Sequence, residues 1–364
     1  MTHTDFKPRL PGYIATGLLI LVTSFWTFWG VAEMWHEGWG MPFPHPLRYL
    51  ILGAVCLGFT LIALTWPRLG GWLLLAFGGA FSVWWSSVAA GRGWLNWQWV
   101  LTALFPLAGM LVVVGVLFLL EGRYRRRLRA EGWSPPVNWL HRNLRYVLGV
   151  GIPLLMVVVT SAFFAPMALS RVDDGDRSAR LIEGHGVALV WAPKGPGWNW
   201  KQPWGGYPSW DMIALYGVQP VGFEDKPGYE DRHATPRDMA TTGLCRYLSA
   251  DGMTLMAEPQ DVWRLPTAEE IVRSLVGGGQ NAGCALRRVQ EESEEGESWY
   301  ADCIRRANKD TPLWAPDEEP IYYWSADEYD GEEAWYVPYD GGGLGYQPKE
   351  WGNPRHGYRC VREP

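Results

Sequence analysis

Residues 110–145 read MLVVVGVLFLLEGRYRRRLRAEGWSPPVNWLHRNLR, an apolar run that breaks abruptly into a cluster of arginines. The apolar run starts upstream, at about residue 98, and ends at 120. A second run fills 146–169, directly after the cluster. Each run has roughly the 20 residues that an α-helix needs to cross the hydrocarbon core of a bilayer. Arg123, Arg125, Arg126, Arg127, Arg129, Arg142 and Arg145 therefore occupy a loop between two spans. Short loops rich in Lys and Arg stay on the cytoplasmic face, which fixes the direction of both spans.

Working outward, three more apolar stretches qualify, at about 13–34, 47–66 and 70–91. The sequence thus predicts a five-helix transmembrane bundle over 13–169, preceded by a cytoplasmic N-terminus, 1–12. Trp66-Pro67-Arg68-Leu69-Gly70-Gly71 has to make a very tight turn between the second and third spans. With the Arg loop inside, Lys7, Arg9 and Arg68 fall on the same face, making ten basic residues there. Only Arg48 and Arg92 fall opposite. Five spans put the two ends of the chain on opposite faces, so everything after residue 169 is expected outside the cytoplasm. The first run is long and lacks a small-residue cleavage site, so it reads as a retained signal-anchor. The bilayer of an inner, or cell, membrane is the first expected partner.

Charge divides the chain at the same place. Residues 1–169 carry 12 basic and 5 acidic side chains, and residues 170–364 carry 20 and 33. A region at −13 lacks the clustered cations that phosphate contacts need, which excludes nucleic acid as a partner. Of the 24 tryptophans, Trp26, Trp29, Trp35, Trp39, Trp84, Trp85, Trp94, Trp97 and Trp99 crowd the outer ends of the spans. They read as an interfacial aromatic belt, or as a docking rim for a partner subunit. The span centres are nearly free of ionisable groups, which a transport pathway would require. The bundle therefore reads as an anchor or packing module.

Beyond a linker at 170–190, residues 191–364 read as a soluble domain. Cys245, Cys284, Cys303 and Cys360 lie in it, while Cys56 is alone in the second span. Four cysteines in an oxidising compartment imply two disulfides with three possible connectivities, and no Cys-x-x-Cys spacing suggests zinc. Thr235-Pro236-Arg237-Asp238 starts a helix whose stripe, Ala240, Leu244 and Leu248, runs to Asp251-Gly252. Thr267-Ala268-Glu269-Glu270 is a capping box that starts a second helix, stopped by Gly277-Gly278-Gly279. Tyr322-Tyr323-Trp324-Ser325, Ala334 to Tyr339 and Gly357 to Arg362 have strand composition. Two helices followed by an antiparallel meander define an α+β domain.

Cys245 and Leu248, then Trp263-Arg264-Leu265-Pro266-Thr267 with Glu270 and Leu275, precede Tyr323-Trp324-Ser325, Ala334-Trp335-Tyr336-Val337 and Arg359-Cys360-Val361-Arg362. In that order these blocks resemble the C-terminal domain of bacterial collagen-like adhesins, a relative of the formylglycine-generating enzyme and, more remotely, of C-type lectins. The resemblance covers about residues 235–364, departs at the long acidic stretch 277–320 and at Pro338, and implies a C-type-lectin-like domain. It implies Cys245–Cys360 as the long-range bridge, leaving Cys284–Cys303 to close the acidic insertion. Trp263, Arg264, Pro266, Thr267, Glu270, Trp324, Trp335 and Arg359 are then structural. Pro266 fixes the entry to the capped helix, the tryptophans fill the core, and Arg264 pairs with an acid or with carbonyls.

Two ligand expectations follow. Trp198, Trp200 and Trp204 lie among Gly and Pro in a stretch with five tryptophans, 191–210; they read first as rings that fill the core or wedge the domain against the bundle, and, if exposed, as rings that would stack on sugar faces. Asp327, Glu328, Asp330, Glu332 and Glu333 form an acidic run that lacks the Asp-x-Asp-x-Asp-Gly register and reads as a solvated turn, or as a calcium loop with Asp327, Glu328 and Asp330 as the candidate ligands. The leading expectation is a membrane-anchored binding or adhesion module for a glycan, peptide or partner protein. The alternative is an accessory subunit of a larger membrane complex. Formylglycine-type chemistry ranks below both, because it needs a reactive cysteine pair and its motifs are not visible, so no catalytic residue is assigned.

Overall fold

The computed structural model describes residues 10–37, 43–91, 95–132, 138–201, 206–218, 232–290, 297–303 and 308–364. The chain divides into two compact units, with the boundary between residues 168 and 169.

The first unit is helical: α1 (Leu10–His36), α2 (Ile51–Thr65), α3 (Pro67–Gly91), α4 (Trp97–Trp99), α5 (Met110–Ala130) and α6 (Trp139–Leu169). Among the described residues, four stretches are long and apolar enough to cross a membrane: Leu10–His36, His45–Thr65, Pro67–Gly91 and Asn143–Leu169. The expected fourth span is bent, with Trp97–Pro106 and Met110–Leu128 meeting at 53°. Its cause is local. Pro106 has no N–H to give, and the segment Val100–Gly109 is wound as a π-helix, which breaks the regular hydrogen-bond ladder. Only Trp66 separates α2 from α3, so the tight turn is as short as the sequence requires.

Helices this apolar are held together by close backbone approach and shared hydrogen bonds. Gly71 and Gly115 supply that approach between α3 and α5. A methyl group on either would sit 2.8–2.9 Å from the other's carbonyl oxygen. Between α1 and α2 the hydroxyls of Thr23 and Thr60 meet at 2.8 Å, both fully buried. At one end of the bundle Glu121 is buried, and its Oε1 accepts from Arg125 Nε at 2.9 Å and Arg145 Nη1 at 3.0 Å. Arg125 also donates to the Leu64 carbonyl, and Arg145 lies 4.0 Å over the Tyr13 ring. Gly12 leaves room for the Glu121 carboxylate, and Gly122 for the Arg68 stem. The start of α1, the α2–α3 turn, the end of α5 and the start of α6 therefore share one end.

The second unit is rich in sheet. β1 (Arg180–Gly184) and β2 (Val187–Trp191) form a hairpin, and β12 (Val361–Arg362) pairs antiparallel with β2. The first and last strands of the unit thus share one sheet. A four-stranded sheet has the order β10 (Gly345–Pro348), β8 (Glu333–Pro338), β7 (Tyr322–Glu328) and β11 (His356–Gly357), with the last pair parallel. β5 (Leu286–Gln290), β6 (Glu297–Ala301) and β9 (Gly342–Gly343) make a third sheet, and β3 (Val276–Gly277) with β4 (Gln280–Asn281) a small hairpin. The helices are single turns or little more: α7 (Trp210–Ala214), α8 (Pro236–Thr242) and α9 (Ala268–Arg273). Trp191, Trp198, Trp210, Trp314 and Trp324 fill the core. Two disulfides cross it, Cys245–Cys360 and Cys284–Cys303, as the resemblance implies.

Three expectations need correction. The segment 170–190 is no simple linker. Val172 and Asp174 donate their N–H groups to Asp310 and Thr311, and β1 begins at Arg180. The helix expected over 235–251 stops at Thr242, because Gly243 turns extended and Leu244–Tyr247 continues only as a 3-10 turn. The last strand is two short pieces, His356–Gly357 and Val361–Arg362, which join different sheets.

Candidate functional site

The Trp263–Thr267 block acts as a clamp. Arg264 forks onto Glu270 with two bonds of 2.7 Å and reaches Glu363 at 3.0 Å. Glu270 also accepts from the Thr267 N–H at 2.9 Å, completing the capping box of α9. Burial works against the charge on Glu270, but the Arg264 fork and the Thr267 N–H outweigh it, so its pKa lies below the usual value. Pro266 offers its carbonyl to Ala326 N, and the backbone of Arg264 bridges Val361 in both directions. Trp263 donates to the Ser249 carbonyl. Each of these groups holds α9 and β12 in place.

Arg359 and Trp198 form a second structural pair. The guanidinium lies 3.5 Å over the Trp198 ring, donates Nε to Ala192 O at 2.7 Å, and donates Nη1 to the carbonyls of Pro312 and Leu313. Burial lowers the Arg359 pKa to about 9, so the group stays charged at neutral pH. The Trp198 Nε1–H donates to the Tyr323 hydroxyl at 2.6 Å. Trp198 therefore takes the core-filling reading and not the sugar-stacking alternative, since the ring is sealed in the core. Trp200 is half-buried and meets Tyr216 edge-on at 6.3 Å. Trp204 lies outside the described residues.

The three calcium candidates are not brought together. Asp327 accepts the N–H of Ala268 at 2.6 Å, at the start of α9, and burial raises its pKa. Asp330 accepts the N–H groups of Glu332 and Glu333, both at 2.8 Å, which shapes the β7–β8 turn. Glu328 already has a cation: the ammonium of Lys349 lies 2.8 Å away. Lys349 is wholly buried, and its other bonds go to the carbonyls of Ala234 and Gly331 at 2.9 and 3.1 Å. A lysine directly after β10 thus supplies the positive charge beside Glu328 that a calcium ion could have supplied.

Other surface features emerge that the sequence did not announce. Tyr329 and Tyr346 stack face to face at 3.9 Å, 3° from parallel, and both lie edge-on to Trp335. Trp335 in turn stacks on Trp299 at 4.4 Å, with Arg288 over the far face of that ring. Tyr346, 43% exposed, is the solvent end of this column. Elsewhere an open, polar depression is lined by residues that include Thr267, Glu269, Glu270, Arg273 and Glu363. Period-2 alternation could have placed Tyr346 opposite Trp335 on one face, but not its partnership with Tyr329 across the turn.

Comparison with protein-family models, with curated proteins and with solved structures found no match.

Proposed function

We propose that the chain is a membrane-anchored binding module. Its helical unit holds residues 169–364 outside the cytoplasm, in the periplasm or at the cell surface, to recognise a glycan or a protein. The observation that carries the reading is the Tyr329–Tyr346–Trp335–Trp299 column, which ends in an exposed ring on a cross-linked, core-backed support. A rigid aromatic face loses little entropy when it binds, and it suits the apolar face of a sugar ring or a protein anchor. The two disulfides favour an oxidising compartment. They also occupy all four cysteines of the unit, leaving copper-thiolate chemistry of the formylglycine type without thiols there.

The resemblance to collagen-like adhesins and the lectin-like fold belongs to this proposal. Tyr346→Ala should weaken binding to an immobilised glycan or protein ligand by tenfold or more, with little change in melting. Ligand binding that survives both Tyr346→Ala and Tyr329→Ala would contradict the proposed surface. A second reading, accessory subunit of a membrane complex, is favoured by Trp29, Trp84 and Trp97, all at least half exposed on the helical unit. Stoichiometric co-purification of other membrane subunits in mild detergent would support it.

A further inference from the structure

We propose that Asp211, His233 and Glu350 form a binding site for a divalent first-row transition cation of the zinc type. The three side chains come from α7, the approach to α8 and the turn after β10, and their ligand atoms all lie within 4.8 Å of one another. His233 Nδ1 is 3.0 Å from Asp211 Oδ2 and 3.9 Å from Glu350 Oε2. Ligands held roughly 2.0–2.2 Å from one ion lie about 3–3.6 Å apart, so a small rotation of the exposed Glu350 closes the set. One imidazole and two carboxylates match borderline cations better than calcium, which prefers six to eight oxygens.

The positions are fixed before any ion arrives. Asp211 Oδ1 accepts the Ala234 N–H at 2.8 Å, which aims Oδ2 at the imidazole. The Asp211 N–H donates to Lys349 O at 3.0 Å, and the Lys349 ammonium returns to Ala234 O. Backbone bonds and a buried lysine thus stitch the three donor segments together, and such outer partners orient metal ligands. The Lys349 charge is itself committed to Glu328 and two carbonyls. That leaves two carboxylates around a single imidazole. His233 binds the ion through Nδ1 as a neutral imidazole, and three protein ligands leave a position open to water. The site does not depend on which ligand the domain recognises.

The test is calorimetric titration of the full-length protein in detergent with Zn²⁺ alone. The expected result is one binding event that His233→Ala and Asp211→Asn each weaken tenfold or more. Melting measured in excess chelator should be nearly unchanged for Asp211→Asn, which keeps an oxygen for Ala234. Binding that is equal in the wild type and both variants overturns the proposal, as does no zinc binding by the wild type.

Discussion

Replacing Cys245 and Cys360 together by alanine should lower the stability of the C-terminal unit by about 5 kcal/mol, from the chain entropy of a closed loop with a sequence separation of 115. Both residues are buried, and Cys360 lies one residue before β12, which closes the sheet begun by the β1–β2 hairpin. Without the bridge the unfolded chain regains the freedom of more than a hundred residues. The loss is comparable with the whole stability of an ordinary domain, about 5–15 kcal/mol. Cys284–Cys303, separated by 19 residues, should cost only about 3 kcal/mol on the same reasoning. Urea unfolding of the two double variants, followed by near-ultraviolet circular dichroism, measures both. Equal midpoints for the two variants would contradict this ranking.

The second large effect concerns His356. The ring is buried among Tyr322, Trp324 and Tyr336, with centroids 4.8–5.1 Å away, and neither ring nitrogen has a hydrogen-bond partner among the described residues. Burial pushes its pKa down to about 3 from the ordinary 6.5. The folded state therefore binds fewer protons than the unfolded state between those values, and stability falls as the pH drops through this window. The full loss is up to about 5 kcal/mol, of which about 2 kcal/mol falls between pH 6.5 and 5. Most carboxylates are still ionised in that upper part. Lys309, which burial lowers to about 7, changes stability only above its own folded value. His356→Leu has nearly the same volume and loses no hydrogen bond. It should stabilise the domain at pH 5 and flatten the profile from 6.5 to 5. A variant as acid-sensitive as the wild type would show that the loss arises elsewhere.

What was legible in the sequence was mostly local or periodic. The Thr267–Glu270 capping box needs only three residues of spacing, and it appears in the structure as read. The apolar runs announced the helices, but composition cannot register a 53° bend, which depends on how Pro106 is accommodated. Leu244 and Leu248 keep helical spacing although the chain between them is a 3-10 turn, because both still point into one core cluster. The β1–β2 hairpin carries its own local signal, Gly184-His185-Gly186, whose three residues all take positive φ. Nothing local could reveal that Lys349 neutralises Glu328, or that Asp211, His233 and Glu350 meet. Those partners are 21 and up to 139 residues apart and are joined only by the fold.

The helical unit is proposed to span a membrane and hold the disulfide-bonded unit outside the cytoplasm. Protease added to intact spheroplasts of a bacterial host tests it directly, with fragments detected by tags at both ends of the chain. Residues from about 170 onward should be digested while the N-terminal tag stays protected. Protection of the C-terminal unit until the membrane is permeabilised would contradict it.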